Sequence, residues 1–198
     1  MIGRGRSGTV FLARHLGLDE ERAIKRVRRT ESGFIQEAAL LKRLRHPGIP
    51  IIYDLEIDEN YYYLIEEYLC GESLYARIER TGSLQTGELI RLGIELCRIM
   101  NYLHSFKPNP ILYLDLHPGN LLICREQLKL IDFDQAALAS LSQERSVCYG
   151  TKGFAAPEQY EGGTLDERTD IYAIGALLYY MGTGHAPEGE IKAGQGSC

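Results

Sequence analysis

The alternation of apolar and polar residues changes character about one third of the way along the chain. Val10 to Ala13 and Ala23 to Val27 are short apolar, β-branched stretches separated by "HLGLDEER", which predicts two antiparallel strands joined by a turn. Phe34 to Arg45 then carries Ile35, Ala38, Ala39, Leu41 and Leu44 at helical spacing, and "HPGIP" stops that helix. Two more strands are predicted around the turn Asp58-Glu59-Asn60. After Gly71 the pattern becomes helical. Glu88 to His104 places Leu92, Leu96, Ile99, Met100 and Leu103 on one side of a long amphipathic helix. Strand fragments are expected at Ile111 to Leu114, Leu121 to Cys124 and Leu128 to Ile131. Ile171 to Met181 is apolar nearly all round, which predicts a helix buried on every side. The sum is an α+β chain, strand-rich first and mostly helical afterwards.

Composition narrows the partners more than the fold. The 198 residues are 44% hydrophobic and 25% charged, enough apolar content for one compact domain or two small lobes. Acidic residues outnumber basic ones by 27 to 22, so neither a nucleic-acid groove nor an anionic membrane surface is indicated. The basic clusters at Lys25 to Arg29 and Lys42 to Arg45 read as solvated faces. Five cysteines, widely spaced and without a CxxC pair, suggest neither a disulfide framework nor a zinc site, and fit a reducing cytoplasm. The longest apolar run falls far short of the ~20 residues of a membrane span.

"GRGRSGTV" sets Gly3, Gly5 and Gly8 beside a strand, where the absence of Cβ atoms would let backbone amides approach phosphates; alone, the pattern equally fits a plain turn. "AIK" puts Lys25 on the next strand, and Glu37 on the following helix offers an acid to hold that lysine's extended side chain. "YLDLHPGNLLI" then supplies Asp115 and Asn120, and "LIDFD" supplies Asp132. A carboxylate to take the proton of an attacking hydroxyl and oxygen ligands for magnesium are what transfer from a triphosphate requires.

With these stretches, "EAALLKRLRHPGIP", "LIEEYLCGESL", "GTKGFAAPEQ" and "DIYAIGALLYYMGTG", the chain resembles the eukaryotic-like serine/threonine protein kinases found in bacteria across nearly all its length. The resemblance implies a two-lobed kinase fold, residues 1–68 forming the N-lobe and 69–198 an incomplete C-lobe. It implies ATP and Mg2+ as cofactors and a protein with serine or threonine hydroxyls as substrate. Lys25 would contact the α- and β-phosphates and pair with Glu37, Asp115 would be the catalytic base, and Asn120 and Asp132 would hold magnesium. Val10, Ala23 and Leu122 would sandwich the adenine, with backbone groups of Glu67 and Leu69 at its edge. Val10 and Leu122 read equally well as ordinary core.

Three positions depart from the family pattern. Leu114 stands where HRD has arginine, which removes the usual partner of an activation-segment phosphate. His117 replaces the lysine that steadies the transferred phosphoryl group. Asp134 replaces the glycine of DFG, and as an aspartate could hold the turn at positive φ. The resemblance also implies that most of the first strand and the last C-lobe helices lie outside these residues. Glu158 would then lack its arginine, and apolar helix faces would lie open to a partner or to aggregation. A nucleotide-binding pseudokinase, a small-molecule phosphotransferase of the aminoglycoside or choline kinase type, and a truncated product without function stay open as alternatives.

Overall fold

A computed structural model describes residues 1–4, 8–30, 34–142 and 150–188, with the side chains of residues 4, 36, 37, 141 and 142 outside that description. The first part is a five-stranded antiparallel sheet built from β1 (Gly3–Arg4), β2 (Thr9–His15), β3 (Glu20–Arg28), β4 (Ile52–Ile57) and β5 (Tyr61–Glu67), in the order β1-β2-β3-β5-β4. Its one helix, α1 (Phe34–Leu41), stops short of the predicted Arg45, and residues 42 and 43 form a turn. Val27 of β3 shares one buried apolar cluster with Phe34, Ala38 and Leu41 of α1.

β6 (Glu72–Ser73), β8 (Leu121–Cys124) and β9 (Gln127–Leu130) form a small second sheet. Ser73 caps α2 (Leu74–Thr81) by accepting from the Ala76 N–H at 3.1 Å. The long helix α3 (Thr86–His104) buries the five apolar residues predicted for its inner side, each 0 or 1% exposed. Full burial of each contributes roughly 1.5 to 3 kcal/mol. β7 (Ile111–Leu112) pairs with β10 (Ala137–Leu138), which leads into α4 (Ala139–Ser142); α5 (Pro157–Glu161) follows later in the chain. The helix α6 (Glu167–Thr183) begins at an Asp166 cap and ends at Gly184, whose φ of 78° favours a residue without Cβ.

One expectation needs correction. α6 packs against α3 with one face only: Leu177 and Met181 are fully buried, whereas Ile171 and Tyr179 are 55% and 52% exposed. An apolar composition all round therefore did not mean burial all round. Ile90 and Ile94 of α3 are similarly exposed, and with Leu89 and Leu178 they line an open apolar groove between the two helices. Glu158, half-buried, is not left alone, because the Thr169 hydroxyl donates to it at 2.8 Å. Among the described residues no helix is long and apolar enough to cross a membrane.

Candidate active site

The sheet and β8 enclose a cavity that gathers residues distant in sequence. Val10 of β2, Ala23 and Lys25 of β3, Leu122 of β8, and Glu67 and Leu69 at and after the end of β5 all line it, as does Asp132. Ile2, Phe133 and Glu66, which the sequence did not single out, line it too. The Glu67 N–H already donates to the Ile51 carbonyl at 2.8 Å, so an edge donor on this stretch falls to Leu69. Gly3 lies in β1, paired with Val10 of β2. Gly8 has a packing reason to be glycine: a Cβ there would stand 2.5 Å from the Arg26 carbonyl oxygen. Gly5 lies outside the described residues.

Lys25 is buried, 7% exposed, and its ammonium donates to Asp132 at 3.1 Å and to Asp134 as well. Glu37 is placed on α1, but its side chain lies outside what is described. Burial, reinforced by the neighbouring Asp134 carboxylate and opposed by Lys25, raises the pKa of Asp132. The positive φ expected at Asp134 falls instead on Asp132, at 59°. Asp134 therefore does not serve as a glycine substitute in a turn; it serves as a second carboxylate on Lys25.

The "YLD" turn is held from three directions. Leu114 has a φ of 66°, a conformation costing a non-glycine residue roughly 1 to 2 kcal/mol. Asp170 of α6, 1% exposed, accepts from the backbone N–H groups of Tyr113 and Leu114, both at 2.9 Å, and lies 2.8 Å from His104 Nε2. Gln159 donates its side-chain amide to the Leu114 carbonyl at 2.8 Å. Tyr113, fully buried, reaches the backbone carbonyl of Asp132 at 2.9 Å and that of Ile131, and packs edge-on against Phe133. The turn bearing Asp115 and the turn bearing Asp132 are thus one hydrogen-bonded unit.

Asp115 projects from this unit with 22% of its side chain exposed. Its Oδ1 accepts from the Thr151 hydroxyl at 2.9 Å, and its Oδ2 lies 3.8 Å from His117 Nε2. His117 Nδ1 accepts from the Gly119 N–H at 3.1 Å, which caps the short 3-10 turn Pro118–Asn120 and leaves any ring N–H on Nε2, toward Asp115. The Asn120 amide nitrogen donates to the Asp115 carbonyl at 3.1 Å. That bond orients the amide and directs its oxygen elsewhere. The amide oxygen of Asn120 and the 40%-exposed carboxylate of Asp132 are both oxygen donors, the ligand type that Mg2+ takes.

Asp170, Gln159, Tyr113 and Thr151 are the contacts that sequence reasoning passed over as site parts. Only Thr151 carried a local signal, in "GTKGF"; Asp170 and Gln159 sit in stretches already quoted for their resemblance, yet nothing in their spacing marks them as holding a turn far away in the chain.

Comparison with known proteins comes to one family. A protein kinase domain model matches residues 1–195. The chain is 30% identical to serine/threonine-protein kinase pkn3 of Myxococcus xanthus over 94% of its own length and 37% of that protein's. It is 34% identical to serine/threonine-protein kinase PrkC of Bacillus subtilis, over 94% of the chain and 30% of the relative. A plant relative, serine/threonine-protein kinase CTR1 of Arabidopsis thaliana, is 30% identical over 98% of the chain and 25% of its own length. The chain thus spans well under half of these relatives.

Proposed function

The chain belongs to the protein kinase domain family, and on that premise we propose that it transfers the γ-phosphate of ATP to serine or threonine hydroxyls of proteins. The observation that carries this reading is Asp115, mostly buried but open on one side, with one carboxylate oxygen held by Thr151 and its backbone tied to Asn120. A base so fixed can orient a hydroxyl and accept its proton while its own rotamer stays locked. Lys25 would fix the phosphates, and Val10, Ala23 and Leu122 would hold the base. Asn120 and Asp132 would hold Mg2+, which when bound would neutralise developing charge on the phosphoryl oxygens. The split at residue 68 into two lobes belongs to the same proposal.

A second reading, a nucleotide-binding module without transfer, draws on one contact: Lys25 is engaged by Asp134 as well as Asp132. The deciding experiment is radiolabelled ATP with Mg2+ and a generic basic protein, run on the chain and on Asp115→Ala, beside a thermal melt with and without nucleotide. Label transfer lost in Asp115→Ala supports the kinase reading. A nucleotide-dependent rise in melting temperature without transfer supports the binding module and removes the first.

A further inference from the structure

The nucleotide cavity contains an acid to which the kinase reading gives no task. Glu66 lies one residue before Glu67 on β5 and pairs across the sheet with Ala23 of β3, so both side chains leave the sheet on the same face, into the cavity. On its far side it pairs with Ile52 of β4. The groups facing it are Lys25 from β3, Asp132 and Asp134 from the segment after β9, and the apolar Leu41 from α1. Among the described residues no hydrogen bond or ion-pair contact engages its carboxyl. A half-buried carboxyl without a partner, at the inner rim of an otherwise largely apolar pocket, is available to a ligand.

We propose that Glu66 reads the substituent at carbon 6 of the bound purine and makes the pocket prefer a 6-amino base over a 6-oxo base. This rests on the kinase reading of the cavity. A purine between Ala23 and Leu122, with its edge toward the Glu67 to Leu69 backbone, has Glu66 as the first side chain beyond that edge. A carboxylate only accepts hydrogen bonds, so it complements an amino group and repels a carbonyl oxygen. A protonated carboxyl can donate, and therefore tolerates the carbonyl.

The two forms exchange in an accessible range. Burial, reinforced by Asp132 and Asp134 and opposed by Lys25, pushes the Glu66 pKa up to about 7. Selectivity is therefore strongest above neutrality and relaxes below it.

The test is calorimetric titration of the chain with Mg·ATP and Mg·ITP from pH 6 to 8. The two nucleotides share the triphosphate, whose own protonation cancels in their affinity ratio. For the unaltered chain the preference for ATP over ITP is expected to grow about tenfold across this range, the scale of one hydrogen bond to a charged group. In Glu66→Gln, whose amide both donates and accepts, and in Glu66→Leu, the ratio should be small and independent of pH. A flat ratio in the unaltered chain, or the same growth in both variants, overturns the role of Glu66 and leaves the nucleotide site standing. Failure of both nucleotides to bind at any pH overturns the reading of the cavity itself, and the proposal with it.

Discussion

The carboxylate of Asp170 accepts the backbone N–H of Leu114 at 2.9 Å, across 56 residues of chain, and Leu114 is held at a φ of 66°. Two buried N–H groups, those of Tyr113 and Leu114, depend on this one side chain. Removing it orphans both, each at about 1 to 3 kcal/mol, less the backbone strain that Leu114 then releases. Asp170→Ala should therefore cost about 3 kcal/mol in urea unfolding and abolish phosphoryl transfer, because Asp115 is the next residue. Asp170→Asn, which retains one acceptor oxygen, should cost less. Equal stability of the three proteins would show that the strained turn is held by other contacts.

Thr151 meets the same turn from the other side, with its hydroxyl on the Asp115 carboxylate at 2.9 Å. A phosphate on that hydroxyl would remove the donor and set negative charge against the Asp115 carboxylate. Leu114 offers no cation in compensation, being buried among Leu112, Ala137 and Leu165. Thr151→Glu should thus lower the transfer rate by at least about 100-fold, Thr151→Ala by about tenfold and Thr151→Ser by little. A rate increase in Thr151→Glu would revive switching by phosphorylation at this position.

How much of this was legible in the sequence depends on how local each feature is. The strands of the first sheet and the inner face of α3 were readable because period and burial coincide there, as at Leu92, Leu96 and Leu103. Lys25, Asp115, Asn120 and Asp132 stood out as candidates because short motifs carry them. Asp170 and Gln159 were not, since each acts on a turn in another part of the chain and its hydrogen bonds leave no periodic trace. The exposed side of α6 misled for the reverse reason: Ile171 and Tyr179 are apolar, but no described element covers them. Glycine's backbone freedom pointed to Asp134 as the residue at positive φ, whereas Asp132 holds that conformation and Asp134 has a charge partner instead.

That charge partner has a measurable cost for nucleotide binding. Asp134 and Asp132 both engage the Lys25 ammonium that the phosphates would need, and Asp134 adds a negative charge near the triphosphate. Removing one unit charge about 8 Å away changes binding by roughly 1 to 2 kcal/mol at an effective dielectric near 20 to 40. Asp134→Gly should bind Mg·ATP about fivefold or more tightly, while Lys25 keeps Asp132 as a partner. The effect should shrink at high salt. Weaker binding in Asp134→Gly would mean that Asp134 positions Lys25 instead of competing for it.

Glu66 links the site to the stability of the fold through protons. Its folded-state pKa of about 7 lies above the ordinary value of 4.5, so the fold favours the protonated form. The stability from that preference is fully present below about pH 4.5, where both states are protonated. It is lost as pH rises toward 7, because the unfolded chain releases the proton first; above 7 both states are ionised and nothing further changes. The shift bounds the loss at about 3 kcal/mol, and partial solvent contact of the side chain makes it smaller. Glu66→Gln cannot titrate, so its stability relative to the unaltered chain should improve by about 2 kcal/mol between pH 5 and pH 8, every other titrating group cancelling in the difference. Urea unfolding of both proteins at the two pH values measures this directly. A difference that stays constant with pH would place the Glu66 pKa at its ordinary value, and would remove the titration on which the expected change in base preference depends.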